Sequence, residues 1–409
     1  MFSSRTNWSL GPNRFAQSLE AHRRSGKELI DLTISNPTEC GIVYPRQEII
    51  SALADPRALE YRAESKGLRE AREAVAGYYA GRRGFSGAAA SPAAGHSAGP
   101  EAGPGSDIDP ERILLTSGTS EGYTHIFSLL CEPGDEVLVP APGYPLFEFL
   151  ADLADIRLVS YPLQYDHGWQ IDFAELSAAL TPRSRAVLVV HPNNPTGSFV
   201  TSGEAAELEA ICAEREMAIV ADEVFLDYPC SSEPAPTFAF QRAALTFTLS
   251  GLSKISLLPQ MKLAWMVVNG PPALAGAAVE RLEIIADTYL SPGIPVQLAL
   301  PKFLDLRHNL QAQVRRRIGE NLNYLDAALR ESKGVTRLDR EGGWYVVLRA
   351  PVTGTDESLA VGLLERGSVL VHPGHFFNFS RDGFLIVSLL TQEAKFQEGV
   401  CRLLKFFAA

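Results

Sequence analysis

The sequence predicts an α/β protein in which a sheet lies between layers of helices and is joined to a smaller α+β unit. Two observations lead there. Between residues 113 and 268, short runs apolar on both faces alternate with helical stretches, the pattern of strands covered on each side. From about residue 293 the texture changes to long helical stretches followed by three further apolar runs.

Taken in order, ILLTSG (113–118) reads as a strand ending in Ser and Gly, and TSEGYTHIFSLL (119–130) as the helix after it. EVLVP (136–140) and RAVLVVHP (185–192) are short apolar strands. TSGEAAELEAICAERE (201–216) opens with Thr201 and Glu204 at capping-box spacing and runs on as an amphipathic helix. MAIVADEVF (217–225), LTFTLSG (245–251) and LAWMVV (263–268) have strand length. Past residue 293 the chain supports long helices, with a break or kink at Pro301, which lacks an N–H and crowds the preceding turn. WYVVLRA (344–350), GSVLVHPG (367–374) and FLIVSLL (384–390) follow, and AKFQEGVCRLLKFF closes the chain as a helix. The one compositional break, residues 84–107, is rich in Ala, Gly, Ser and Pro without an apolar period. It predicts a mobile surface loop in which His96 is solvated.

The 409 residues carry 46% apolar and 21% charged residues, an ordinary soluble balance with room for two domains. A net charge of −11 argues against nucleic-acid binding, which needs a basic face. No apolar stretch approaches the ~20 residues of a membrane span, and MFSSRTNWSLGPNRF lacks a signal-peptide core, so a cytoplasmic location is expected. Five dispersed cysteines with no C-x-x-C pair fit reduced, structural thiols rather than disulfides or a metal site.

Open α/β sheets bind ligands at the carboxyl ends of their strands, and five places there carry chemistry. The SGTSEG turn (117–122) is either a plain tight turn or a set of helix-start N–H groups that hold a phosphate. In HPNNPTG (191–197), prolines and a glycine force a turn that presents Asn193 and Asn194. Asp222 ends the apolar run AIVA and needs a partner there, either an Arg or Lys or a protonated ring nitrogen. Lys254, in SGLSKIS, is either a solvated lysine or an amine kept neutral to act as a nucleophile, since no charge lies near it until Lys262. Tyr144, in PAPGYP, either packs in the core or stacks on a flat ligand.

In this order the motifs resemble the class I/II aminotransferases of pyridoxal-phosphate (PLP) fold type I, over nearly the whole chain from DLTISNPTE (31–39) onward. The resemblance implies a seven-stranded, mostly parallel sheet in a large domain of residues 46–290. Residues 1–45 and 291–409 would form the smaller domain with an N-terminal arm. It implies pyridoxal 5'-phosphate as cofactor, with Lys254 as its Schiff-base lysine and Asp222 pairing with its pyridine nitrogen. Asn194 would bond its phenolic oxygen, Tyr144 would stack on its ring, and Ser117, Gly118 and Thr119 would form the phosphate cup. A homodimer is implied, in which Tyr61, from YRAESKGLREA, reaches the phosphate held by the partner subunit. The substrates would be an amino donor and a 2-oxo acid acceptor, exchanged through pyridoxamine phosphate with Lys254 moving the proton.

Four positions depart from that pattern. Phe225 stands where the family usually has a tyrosine donating to the phenolic oxygen, and losing that donor raises the pKa of the internal imine. Lys262, eight residues after Lys254, replaces a phosphate arginine with a point charge. Gly251 replaces a phosphate-binding serine, leaving Ser253 or Ser250 to compensate. Ile386 occupies the place of the arginine that clamps the substrate α-carboxylate. Arg349, Arg381, Arg14, His372 and His375 are the candidates to replace it, and the P-G segment VHPGHFF favours the two histidines.

The leading expectation is therefore a PLP-dependent aminotransferase with a relocated carboxylate site. A PLP lyase on the same fold and a PLP-binding protein without turnover are the alternatives, because a fold does not fix a reaction.

Overall fold

The computed structural model describes residues 1–85, 108–332 and 334–408. Its largest sheet has eight strands: β1 (Ile113–Thr116), β2 (Glu136–Ala141), β3 (Arg157–Tyr165), β4 (Trp169–Ile171), β5 (Ser184–Val190), β6 (Ala218–Asp222), β7 (Thr246–Gly251) and β8 (Ala264–Asn269). Their spatial order is β1-β8-β7-β6-β5-β2-β3-β4. The pairings from β7 through β6, β5 and β2 to β3 are parallel, whereas β8 runs antiparallel to both β7 and β1. Two reversals bring β1 back into the common direction. The carboxyl ends of β1, β2, β5, β6 and β7 consequently share one edge of the sheet. The expected seven strands are present, and β4 adds an eighth as a short antiparallel edge partner of β3.

Every residue of β6 and β7 is buried, as their two-faced apolar sequences require. On one face Leu188, Val220, Phe247 and Leu249 pack under the helices Thr119–Leu130 and Pro272–Tyr289, through Ile126, Phe127, Ala278 and Leu282. On the other, Val187, Val189, Ile219 and Ala221 meet Ala205, Leu208 and Cys212 of the helix Ser202–Glu214. The Thr201–Glu204 capping box is formed at the start of that helix.

A second sheet holds four antiparallel strands in the order Thr336–Arg337, Tyr345–Arg349, Phe384–Ser388 and His372–Pro373. Ile30–Asp31 pairs with Val369–Leu370, tying the N-terminal segment to this part of the fold. The helix Ile294–Glu331 runs uninterrupted, so Pro301 does not end it. Val296, Leu300, Phe303 and Leu304 pack beside Leu68 and Trp265, and that burial offsets the roughly 3 kcal/mol an internal proline costs. Of the expected 84–107 loop, all but the first two residues lie outside the described residues, His96 among them. Those two are docked: Gly84 bridges to Thr237, and the Phe85 ring lies 4.6 Å from that of Phe238.

Candidate functional site

The shared edge of the large sheet delivers its side chains into one cavity of about 420 Å³. Asp222 is the last residue of β6 and is buried. Lys254 follows β7 on the short helix Leu252–Ile255 and opens on the same cavity. Strand alternation explains why the two meet: neighbouring parallel strands end side by side, and the chain then turns across the sheet edge. Tyr228 secures the turn by donating from its hydroxyl to the Lys254 carbonyl at 2.7 Å.

Burial controls the charges here. It pulls the Lys254 amine down to about 8, although the charges of Asp222 and Cys40 act the other way. The Lys254 Nζ lies 4.8 Å from the centre of the Trp344 ring and 5.6 Å from that of Phe225. Burial also pushes the Asp222 carboxyl up, opposed by hydrogen bonds from the Val224 amide and Tyr123 hydroxyl and by Lys254. The Val224 N–H donates to Oδ1 at 3.1 Å, and the Tyr123 O–H donates to Oδ2 at 2.8 Å.

The two asparagines of the NNPTG turn divide. Asn193 is structural, its amide donating to the Pro142 carbonyl and to Thr196 Oγ1. Asn194 lines the cavity and is buried, and its Oδ1 has no hydrogen-bond partner. Tyr144, Phe225 and Ser253 line the cavity as well. At the start of the helix Thr119–Leu130, Thr119 and Ser120 reach the wall, whereas Ser117 and Gly118 do not. The Ser117 N–H is instead taken by Glu121 Oε2 at 2.6 Å.

The departures from the pattern acquire physical reasons. A Cβ on Gly251 would lie 2.8 Å from the Ala264 Cβ and 3.0 Å from the Leu263 carbonyl oxygen, so β8 runs too close for a serine there. Ser250 is buried and donates to the Glu223 carbonyl, which leaves Ser253 as the cavity-facing hydroxyl of this stretch. Lys262 is exposed, has a left-handed φ of 49° and lies outside the cavity wall. Ile386 is fully buried among Val347, Leu338 and Phe377. Arg14, Arg349 and Arg381 are exposed and away from the cavity, and so is His375. His372 does line it, half-buried, with Nδ1 unpartnered. Tyr61 is 82% exposed and lies outside this wall.

Ser35, Tyr345, Phe376 and Phe377 also wall the cavity and were not evident from local sequence. The Tyr345 phenol, hydrogen-bonded to Ser35, is pushed up to about 12 by burial. Ser120 lies one residue beyond the expected cup, a signal within reach of the helix start.

Residues 28–403 match the family model for aminotransferase class I and II. The chain belongs to this family. Among its relatives, the glutamate-pyruvate aminotransferase AlaA of Haemophilus influenzae is 27% identical over 394 residues, covering 94% of this chain and 91% of that protein. The alanine aminotransferase of Mycobacterium bovis is 29% identical over 382 residues, covering 90% and 82%. A solved alanine aminotransferase from Pyrococcus furiosus superposes with a TM-score of 0.84 at 23% identity, over the whole of both chains. The protein is accordingly a PLP-dependent aminotransferase of fold type I.

The cavity of this aminotransferase fits the cofactor. It offers an amine, a buried carboxylate, the side-chain amide of Asn194, and a helix start that Gly118 leaves without a side-chain cap. These suit a carbonyl, a ring nitrogen, a phenolic edge and a phosphate in turn. Among the described residues, Lys254 and His372 are the only nitrogen bases in the wall.

Proposed function

We propose that this aminotransferase holds pyridoxal phosphate through Lys254 and Asp222 and moves an amino group between an amino acid, or a related amine, and a 2-oxo acid. The observation that carries the assignment is that an amine tuned to about 8 and a buried carboxylate open on one cavity from adjacent strand ends. When bound, the cofactor supplies an electron-withdrawing ring that makes the substrate's α-proton removable. The chain's own groups do the rest. Asp222, as a carboxylate, would favour a proton on the ring nitrogen. Asn194 would offer its side-chain N–H to the phenolic oxygen, Tyr144 would flank the ring, and the helix start at Thr119 and Ser120 would offer N–H groups to the phosphate. Lys254, about half neutral near pH 8, would be the amine that holds the cofactor through its carbonyl. As the nitrogen base nearest to Asp222 in the wall, it would also be the group to take the substrate's α-proton and return it.

His372 is the group we assign to the substrate carboxylate, because no guanidinium reaches the cavity among the described residues. The names of the relatives make alanine and glutamate the first donors to try, with pyruvate as acceptor. The homodimer, with Tyr61 reaching the phosphate held by the partner subunit, is supported by the exposure of Leu59, Tyr61, Tyr289 and Leu290, of which Tyr61 and Leu290 line one surface pocket. A reducing compartment, as in the cytoplasm, is supported by all five cysteines being free. The Ile30–Val369 pairing supports grouping residues 1–45 with 291–409, apart from 46–290.

The test mixes the PLP-loaded protein with alanine, glutamate and a panel of amines while the absorbance of the bound cofactor is followed. Conversion to the amine form with matching release of oxo acid is expected. Release of ammonia without that conversion would indicate a lyase and overturn the assignment.

A further inference from the structure

Asp222 is held from a direction that its own strand does not supply. Tyr123 lies in the second turn of the helix Thr119–Leu130, and its hydroxyl donates to Asp222 Oδ2 at 2.8 Å. Both residues are buried, Tyr123 to 1% exposure. The helix can come this close because Gly122 precedes Tyr123: a Cβ there would lie 2.8 Å from Leu249 Cδ2, and Leu249 pairs with Asp222 across β6 and β7. The phenol ring is fixed from the side by Phe147, 5.2 Å away and edge-on, and by Phe127 at 6.0 Å. Phe147 itself walls the cavity.

We propose that Tyr123 is a positioning residue for Asp222, keeping the carboxylate ionised and oriented toward the ring nitrogen of the cofactor. The inference rests on the pairing of Asp222 with that nitrogen. The argument is electrostatic. A carboxylate taken out of water must be compensated by donors or by charge. In the structure three groups do this: the Val224 amide, the Tyr123 hydroxyl and the Lys254 ammonium. With Lys254 joined to the cofactor, the hydrogen bonds from Tyr123 and the Val224 amide would remain as the protein's own donors to Asp222. A carboxylate can accept from both and still have lone pairs for a ring N–H. Burial keeps the Tyr123 phenol far above the usual range, so it remains a donor throughout the working pH.

The test compares Tyr123→Phe, Asp222→Asn and the double variant as PLP-loaded proteins. Two properties other than turnover are read: the dissociation constant for PLP, and the pH midpoint at which the lysine-bound cofactor changes its absorbance. A weaker carboxylate partner leaves the ring less protonated, and a ring with less positive charge tolerates the protonated lysine linkage to higher pH. Tyr123→Phe is therefore expected to raise that midpoint and weaken PLP binding about tenfold, the scale of one hydrogen bond to a charged group. Its effect should vanish in the Asp222→Asn background, where the interaction no longer exists. An unchanged midpoint and dissociation constant in Tyr123→Phe, or effects that simply add in the double variant, overturn the proposal. The same holds for a lowered melting temperature with both readouts unchanged. If Asp222→Asn itself moves neither readout, the ring-nitrogen pairing fails, and the role of Tyr123 fails with it.

Discussion

Ile386 and His372 face each other across the antiparallel ladder that joins Phe384–Ser388 to His372–Pro373. Directly opposed residues share a face of the sheet, so a nitrogen base of the cavity wall sits beside a fully buried hydrocarbon. Burial holds the His372 imidazole below its usual pKa, and Asp31 pulls it the other way. Neutral above that pKa, the ring gains charge only as the pH falls. The KM for the amino donor should therefore drop on going from pH 8 to pH 6. His372→Gln should raise it about tenfold at pH 6 and flatten the dependence, with kcat changing much less. Steady-state kinetics of the two proteins decide this, and equal KM values would remove His372 from substrate binding.

On the proposed role of Lys254, its amine would set how fast the apoprotein takes up the cofactor. With its pKa lowered to about 8, the neutral fraction climbs about tenfold per pH unit below that value and levels off above it. Stopped-flow measurement of PLP incorporation should trace that curve. Lys254→Ala should show no covalent capture at any pH, and a persisting lysine-linked absorbance would mean a different lysine is modified.

Phe225 occupies the cavity wall 5.6 Å from the Lys254 amine and offers the cofactor no hydrogen bond. Phe225→Tyr adds a hydroxyl that can donate to a deprotonated oxygen, favouring the deprotonated linkage. Its absorbance midpoint should fall, opposite in sign to the shift from Tyr123→Phe. A midpoint that stays put or rises shows that the added hydroxyl does not reach the cofactor.

Gly251→Ser restores the residue type of a phosphate site but places a Cβ 2.8 Å from Ala264. The strand has no room to yield, so a loss of about 1–3 kcal/mol is expected, with no gain in PLP affinity. Urea melts of the apoprotein and a PLP titration give the two numbers.

Glu223 is fully buried, with Thr237 Oγ1 and the Phe238 N–H donating to its carboxylate, and burial raises its pKa to about 7. Its folded pKa thus lies above the unfolded value, so its stabilising share is complete below about pH 4 and is lost as the pH rises through 7. The stability of the native protein relative to Glu223→Gln should decline by about 1 kcal/mol between pH 6 and pH 8. A constant difference over that range would show that Glu223 keeps one charge state.

How much could be seen in advance follows physical lines. β6 and β7 are apolar on both faces and end in Asp222 and in the SGLSK segment, so both strands and the chemistry at their ends were legible. β3 was not recognised, because only Tyr161 of Arg157–Tyr165 is buried and the strand interleaves Arg, Ser and Gln. Lys262 keeps the spacing of a phosphate ligand, but the turn that precedes β8 carries it to the surface. Tyr123 and Asp222 are 99 positions apart, and helical period alone could show only that the tyrosine is buried. The same holds for Tyr345 and Phe377, which meet the cavity through the pairing of distant strands and the turn after His372–Pro373.

The cavity wall is built from two sources. Asp222, Lys254, Asn194 and Thr119 come from the edge of the large sheet, whereas Tyr345, His372, Phe376 and Phe377 come from the four-stranded sheet and the turn beside it. On the proposed roles, retaining the cofactor and choosing the partner molecule would thus be entrusted to separate stretches of chain. Changes in the second set would then alter which amino donor is accepted while leaving the first set's hold on the cofactor in place.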